Sequence, residues 1–113
     1  MSEEGQIVDI SDFGKLDLRV GTIVEAERVV GTRKLYKIKV DLGELGVRQT
    51  ISGLVGYYGQ SELIGKKVVF LANLKKARIA GEESEGMILA AVKDGELALL
   101  TVDREIPNGA KIS

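Results

Sequence analysis

The stretch that decides the fold runs from Val47 to Leu74, VRQTISGLVGYYGQSELIGKKVVFLANL. Its two ends, VRQTIS and KKVVFLANL, are rich in β-branched and apolar residues, and each end predicts a strand. The middle, GLVGYYGQSELIG, breaks that pattern, and its glycines keep any helix there short. A strand, a short helical cap and a second strand therefore follow one another along this stretch.

Two further strands are predicted before this stretch. The segment KLDLRVGTIVEAERVV, residues 15–30, begins with alternating apolar and polar residues, and Gly21 within it predicts a bulge or a tight bend. The segment LYKIKVDLG, residues 35–43, alternates throughout its length. It predicts two faces, with Tyr36, Ile38, Val40 and Leu42 turned inward and Lys37, Lys39 and Asp41 turned outward.

After the deciding stretch, GMILAAV (residues 86–92) predicts a fifth strand, and Asp94-Gly95 predicts a tight turn that pairs residues 87–92 with 97–102. Three strands, a helix and two strands are typical of an OB-fold, so we expect an all-β, five-stranded barrel with a C-terminal hairpin extension. The length of 113 residues fits one domain. We expect residues 1–13 to form a lead-in and residues 14–113 to form the domain with its extension.

The composition excludes several kinds of site. The chain has no cysteine and no histidine, which removes thiolate nucleophiles, zinc–thiolate sites and the commonest general base. We therefore expect a protein that is not an enzyme and that needs no cofactor or metal. No apolar run approaches the roughly 20 residues that span a bilayer, and the acidic start, MSEEGQIVDI, is unlike a signal peptide. We expect a cytoplasmic protein without a membrane segment.

Charge is distributed unevenly along the chain. Residues 14–81 contain 13 Lys and Arg against 6 Asp and Glu, whereas the remaining residues contain 3 against 11. A ligand meets one face of a protein and not its average charge, so a polyanionic partner remains compatible with the net charge of −1. The alternative is that these charges are scattered over a solvated surface.

Three motifs occur together in this order: DLRVG at residues 17–21, RQTISG at 48–53, and NL at 73–74 followed by GEESEGMIL at 81–89. Together they resemble the tRNA-binding domain family. This domain occurs as a free-standing dimeric tRNA-binding protein and as the C-terminal domain or beta subunit of methionyl-tRNA synthetase, and the archaeal type of the synthetase is the most similar. The resemblance implies an OB barrel that binds the outer corner of tRNA by shape, without catalysis. It also implies a homodimer formed through the C-terminal hairpin and tail, and leaves open a partnership with the catalytic synthetase subunit.

The loop between the first two predicted strands departs from the family pattern. In RVVGTRKLY, residues 28–36, Val29 and Val30 stand where the family usually has His-Pro, and Arg33 stands where it has an acid. The loop therefore lacks a rigid proline and has gained a cation that favours phosphate.

Candidate tRNA contacts lie in that loop, on the outward face of the second strand, and after the fourth strand. An OB-fold binds its ligands on this face and between these loops. The predicted contacts are Arg33, Lys34, Lys37, Lys39, Asn73, Lys75, Lys76, Arg78, Ser84 and Met87. For three of them a structural role is the alternative, because Ser84 could fix its own loop, Met87 could be core and Asn73 could cap a turn.

The alternatives to tRNA binding are peptide binding and catalysis. A relative of the same fold looks like a small dimeric export chaperone that binds unfolded peptide through apolar grooves. Catalysis would need a general base or a nucleophile, and this chain has no histidine and no cysteine. The sequence does not decide between a free-standing protein and one docked on a synthetase. The start at Met1 favours a separate polypeptide, although a piece of a longer synthetase would look much the same.

Overall fold

The computed structural model describes residues 6–113, and its framework is an antiparallel sheet of five strands. The helices are α1 (Ile10–Phe13) and α2 (Gln60–Leu63), with a 3-10 turn at Gly43–Leu45. The strands are β1 (Leu18–Arg28), β2 (Tyr36–Asp41), β3 (Val47–Ser52), β4 (Lys67–Leu71), β5 (Ala77–Ile79), β6 (Glu82–Ser84), β7 (Met87–Ile88), β8 (Ala90–Lys93) and β9 (Glu96–Leu99). Within the described residues, no helix is long and apolar enough to cross a membrane.

The five strands of the main sheet lie in the order β3-β2-β1-β4-β7, and every pair in it is antiparallel. The sheet curves so that its first and last strands approach each other through the residues that join β6 to β7, where the Glu85 N–H donates to the Gln49 carbonyl at 2.7 Å. A nearly closed barrel results, with α2 between β3 and β4. The predicted OB-type barrel and the position of its helix are confirmed.

The alternation predicted for β2 is confirmed. Its inward side chains, those of Tyr36, Ile38 and Val40, are buried, and Leu42 beyond the end of the strand is fully buried. They meet Phe70 of β4 inside the barrel, and Leu63 of α2 closes one end of this core. Burying one such apolar side chain contributes roughly 1.5–3 kcal/mol, so this interior is the main source of stability.

The bend in β1 does not lie at Gly21, where the sequence predicted it. The register with β2 shifts between Ile23 and Glu25, two residues later. Gly21 is required for a different reason: a Cβ there would lie 2.5 Å from Val40 Cγ1 and 2.7 Å from Leu42 Cδ2. The backbone of β1 therefore approaches the core side chains of its neighbour too closely for any side chain.

The C-terminal hairpin is shorter than predicted. It pairs β8 with β9 around Asp94 and Gly95, both of which adopt positive φ, as a type I′ turn requires. The predicted fifth strand is divided at Leu89, because residues 87–88 pair with β4 in the barrel and residues 90–93 pair with β9 outside it. Residues 100–102, expected to extend the hairpin, are not part of a strand.

The C-terminal tail completes the barrel beside the first half of β1. The Val20 N–H donates to the Ala110 carbonyl at 2.9 Å, and the Ile112 N–H donates to the Leu18 carbonyl at 2.8 Å. Arg19 holds this junction, because its Nε donates to Asp17 Oδ1 at 2.6 Å and its Nη1 donates to the Gly109 carbonyl at 2.9 Å.

The hydrogen bond from Arg19, helped by the positive charges of Arg19 and Lys111, holds the pKa of Asp17 below its ordinary value. The Nζ of Lys111 lies 3.6 Å from Asp17 Oδ1, so two cations from different parts of the chain meet one carboxylate. Arg19 therefore has the structural role of fastening the tail to the barrel.

Candidate nucleic-acid interface

The segment predicted as a flexible loop after the fourth strand is instead a small β-hairpin. Strands β5 and β6 pair around Ala80 and Gly81, which both have positive φ. The hairpin lies beside β3, where Gln49 Nε2 donates to the Glu83 carbonyl at 2.8 Å. One edge of the predicted binding face is therefore formed by a hairpin that is hydrogen-bonded to the barrel.

Ser84 does not lie on the surface, contrary to its prediction as a phosphate or 2′-hydroxyl contact. Its side chain is buried, and its hydroxyl accepts from the Ile51 N–H at 3.3 Å and lies 3.3 Å from Thr50 Oγ1. The same hydroxyl lies 3.3 Å from the carbonyl of Gly86, to which it can donate. These contacts join the end of β6 to the free edge of β3, so in this structure the serine closes the barrel.

The two residues after Ser84 take part in the same closure. Glu85 Oε1 accepts from the Gln49 N–H at 2.8 Å, so the carboxylate replaces a backbone partner on the edge of β3. Gly86 leaves no room for a side chain, since a Cβ would lie 2.5 Å from the Leu71 carbonyl oxygen and from the Phe70 ring. Ser84, Glu85 and Gly86 of the family motif therefore take part in closing the barrel.

Asn73 is also occupied within the protein. Its Oδ1 accepts from the Asp17 N–H at 2.9 Å, and its Nδ2 donates to the Lys15 carbonyl at 2.7 Å. The side chain thereby ties the segment before β1 to the end of β4. Each end of the amide has one partner within the protein, which supports the structural alternative, and an RNA contact of the exposed side chain stays a prediction.

Met87 is half-exposed and lies on a shallow groove of about 120 Å³. The groove runs between β3 and the β5–β6 hairpin. Its rim and walls include Ser52, Leu74, Lys75, Ala77 and Ile79. Met87 therefore occupies the surface position that an RNA contact requires, and it is not a core residue.

The outward lysines of β2 are each paired with carboxylates. Lys37 Nζ lies 3.2 Å from Glu27 Oε1 and 3.7 Å from Glu82 Oε1, so a residue of β1 and a residue of β6 flank it. The hydrogen bond from Glu27, together with the negative charges of Glu82 and Glu27, raises the pKa of Lys37.

The same holds for the next lysine along the strand and for one beyond β4. Lys39 Nζ lies 3.9 Å from Glu25 Oε1, and Lys76 Nζ lies 3.8 Å from Glu85 Oε2. A phosphate that binds any of these three lysines must therefore compete with a neighbouring carboxylate.

A second group of predicted cations is exposed and, within residues 6–113, has no carboxylate within 4.0 Å. We call this group the rim cations; its members are Arg33, Lys34 and Lys75. Arg78 is exposed as well, but its Nη2 donates to the Gly81 carbonyl at 2.8 Å and it lies opposite Glu83 in the hairpin.

One rim cation lines the groove, and the other two lie in the first loop, whose backbone is bonded to the segment after β3. Lys75 lines the groove itself. The carbonyl of Lys34 accepts from the Val55 N–H at 3.2 Å, and Val55 follows closely after Ser52, which lines the same groove. The first loop keeps an ordered turn without the family's proline, because the Thr32 N–H and hydroxyl both donate to the Val29 carbonyl, at 3.1 and 2.8 Å.

Sequence reasoning missed the apolar side of this groove. Leu74 and Ile79 are partly exposed at 42% and 39% and face the same groove as Met87. Their signal was the presence of isolated apolar residues within the basic segment NLKKARIAG, residues 73–81. Apolar residues among charges in a predicted loop indicate a surface that contacts a partner.

Comparison with known proteins decides the family. The family model described as "Putative tRNA binding domain" matches residues 18–111. The chain belongs to the tRNA-binding domain family. The prediction made from its three motifs is thereby confirmed, and the domain is a binding module and not the catalytic part of a synthetase.

One curated relative is the methionine–tRNA ligase of Methanococcus maripaludis (strain C5), which is 52% identical over 110 residues. That match covers 97% of this chain but 16% of the ligase, so the chain spans about a sixth of the length of such relatives.

Two solved structures are similar over 95% of the chain, each at 36% identity. A MetRS-related protein from Pyrococcus horikoshii has a TM-score of 0.88 and is covered over 98% of its length. The chaperone CsaA from Bacillus anthracis has a TM-score of 0.86 and is covered over 99% of its length. The same fold therefore occurs in a protein named as MetRS-related and in a protein named as a chaperone.

Proposed function

We propose that this domain binds tRNA at its outer corner by shape, with little dependence on sequence, and supplies tRNA affinity to methionyl-tRNA synthesis in the cytoplasm. The observation that supports it best is that three exposed cations, the rim cations, have no carboxylate within 4.0 Å in the described residues, in a chain that belongs to the tRNA-binding domain family. Folded RNA is recognised mainly through phosphates, 2′-hydroxyls and shape, and a rigid frame with separated cations suits that task.

The architecture favours rigid positioning over adaptation. The backbone of Lys34 is hydrogen-bonded to the segment after β3, and Lys75 lies on the groove beside β3, so both lysines start from positions set by the barrel. Met87, Leu74 and Ile79 offer an apolar surface between them on which a ribose or a base edge can rest. Phosphate contacts position the ligand without reading its sequence, which accounts for tolerance toward different tRNAs.

The test is a titration of labelled unfractionated tRNA, followed by fluorescence anisotropy at 50 and 200 mM salt. Three phosphate contacts predict a loss of affinity of about 20- to 40-fold between the two salt concentrations. Arg33→Ala with Lys34→Ala should reduce the slope of log Kd against log salt by about 1.4–1.8, and Lys75→Ala should reduce it by about 0.7–0.9.

Lys66→Ala is the matched control, because Lys66 follows α2, lies over the Tyr58 ring and is not on the groove or on the C-terminal hairpin. It should leave the salt slope unchanged. Equal losses in the control and in the rim variants would mean that binding follows net charge alone, and the proposed site would then be wrong.

The second candidate function is the binding of unfolded peptide. The apolar groove supports it, as does the similarity to a protein named as a chaperone. Peptide binding through apolar contacts should change little between 50 and 200 mM salt, whereas tRNA binding should change steeply. A labelled unfolded peptide that binds tightly and independently of salt, together with weak tRNA binding, would make this second function the correct one.

We propose further that the domain forms a homodimer through the C-terminal hairpin. Val92 is 67% exposed on β8, and Leu100 and Ile106 nearby are 37% and 40% exposed. Apolar side chains gathered in this way mark a surface that another chain covers. A second copy would present two grooves to the tRNA, and docking to a catalytic synthetase subunit would place the bound tRNA near that subunit's active site.

A further inference from the structure

The outward face of β2, which lies next to the groove, has a net negative charge although β2 itself contributes two lysines to it. Five side chains, which we call the paired strip, lie together on β1, β2 and β6: Glu25, Glu27, Lys37, Lys39 and Glu82. The strip contains three carboxylates and two lysines, so its net charge is −1. The rim cations lie beyond it, in the first loop and after β4.

The backbone fixes this arrangement. Glu27 is directly opposite Lys37 in the antiparallel register of β1 and β2, and Glu25 is opposite Lys39. Directly opposite residues in an antiparallel pair have Cβ atoms about 4.5–5.5 Å apart, so each carboxylate is within reach of the lysine opposite it.

Glu82 reaches Lys37 from the other side. The β5–β6 hairpin that carries Glu82 is itself hydrogen-bonded to β3. Lys37 is thus held between two carboxylates, and a phosphate approaching it must also approach both of them.

We propose that the paired strip makes the domain selective, because its carboxylates repel an extended polyanion that lies across the face. A folded RNA that presents two separated backbone segments can touch both groups of rim cations and span the strip. A single extended strand has to lay consecutive phosphates over Glu27 and Glu82. This inference rests on the proposed tRNA-binding function and identifies the residues that set its specificity.

The test compares the affinities of two ligands, whole tRNA and single-stranded poly(U), for Glu27→Gln combined with Glu82→Gln. Removing exposed carboxylates next to a phosphate path should raise the affinity about two- to five-fold for each carboxylate. Poly(U) affinity should therefore rise about 4- to 25-fold, whereas tRNA affinity should rise less than about three-fold. The tRNA/poly(U) selectivity should fall accordingly.

The matched control is Glu44→Gln combined with Glu62→Gln, which changes the net charge equally at exposed positions outside the strip, the groove and the C-terminal hairpin. It should raise both affinities slightly and leave the selectivity unchanged. If the control lowers the selectivity as much as the strip variant, the effect is one of net charge and the inference is overturned. The same conclusion follows if the strip variant leaves the selectivity unchanged.

Lys37→Gln supplies an independent test. In the otherwise unchanged chain, it should weaken binding of either ligand less than two-fold, because both neighbouring carboxylates already compensate the lysine. In the chain with Glu27→Gln and Glu82→Gln, the same substitution should reverse most of the gain in poly(U) affinity. A loss of tRNA binding from Lys37→Gln alone as large as that from Lys75→Ala would make Lys37 a direct contact and contradict the inference.

Failure of the proposed function is distinguishable from failure of this inference. If the unchanged protein does not bind tRNA in a salt-dependent way, the proposed function is wrong, yet the poly(U) measurements still show whether the carboxylates repel a polyanion. If tRNA binding is salt-dependent and selectivity does not respond to the strip, only the inference is wrong. Thermal unfolding of each variant should show an unchanged Tm, because all the substituted carboxylates are solvent-accessible.

Discussion

Replacing Ser84 by alanine separates a structural role of the family motif from a role in RNA contact. The serine is 5% exposed, and its hydroxyl accepts the Ile51 N–H. That N–H lies on the edge of β3 that faces away from β2, where the Gln49 N–H also finds a side-chain acceptor. Ser84→Ala therefore leaves one buried backbone N–H without a partner.

The size of the effect can be worked out from these contacts. Leaving a buried donor unsatisfied costs about 1–3 kcal/mol, and the 3.3 Å distance places this bond among the weaker ones. We therefore expect the free energy of unfolding to fall by about 1–2 kcal/mol. For a chain of this length, unfolding entropy is about 0.24 kcal/mol per degree, so the Tm should fall by about 4–8 °C.

Two assays carried out on the same sample decide the matter. Differential scanning calorimetry gives the Tm, and tRNA anisotropy at 20 °C gives the affinity of the protein that is still folded. The affinity should change less than two-fold. Ser61→Ala, an exposed serine in α2, is the matched control and should change neither quantity. A tenfold loss of affinity at an unchanged Tm would show that the Ser84 hydroxyl contacts RNA and would refute this reasoning.

Three further predictions concern other parts of the molecule. Gly86→Ala should lower the free energy of unfolding by at least about 3 kcal/mol in chemical denaturation, since its Cβ would lie 2.5 Å from backbone and ring atoms. Gly59→Ala, whose Cβ would have nothing within 4 Å, should lower it by under about 1 kcal/mol. Equal losses in the two variants would contradict the proposed closure of the barrel.

Asp17→Asn should cost about 1–2 kcal/mol at pH 7, because Arg19 lowers the pKa of Asp17. This contribution to stability is present above the ordinary aspartate pKa and is lost as pH falls through the lower pKa that Asp17 has in the folded protein. If the two proteins still differ in unfolding free energy in acid, the ion pair of Asp17 is not the cause. Val92→Glu should convert the proposed dimer to a monomer in sedimentation experiments, and a dimer that persists would place the interface elsewhere.

Much of the fold was predictable because its signals are local. The alternation of β2 lies within six residues. Asp94-Gly95 predicts a hairpin by itself, because these two residue types favour the positive φ that the turn requires. The bend in β1 was misplaced because Gly21 serves a close approach to side chains of another strand, and no pattern within β1 contains that information.

The candidate site was predicted less well, since its properties depend on register between distant segments. Lys37 reads as an outward cation in its own strand, but its partners Glu27 and Glu82 come from two other strands. The sequence around Ser84 does not show that its hydroxyl bonds to β3, because the two segments meet only when the barrel closes. Lys75 and Met87 lie on the surface groove, so the core alternative for Met87 is wrong, and their contact with RNA stays a prediction.

The most direct test of the central claim is a competition measurement. Labelled tRNA bound to the domain at 100 mM salt is displaced by whole unlabelled tRNA, by an acceptor minihelix that lacks the outer corner, and by an isolated anticodon stem-loop. Recognition of the corner by shape predicts that whole tRNA displaces the label at least about tenfold more effectively than either fragment. Equal displacement per nucleotide by all three RNAs would mean that the domain is a general polyanion binder, and the account would be wrong.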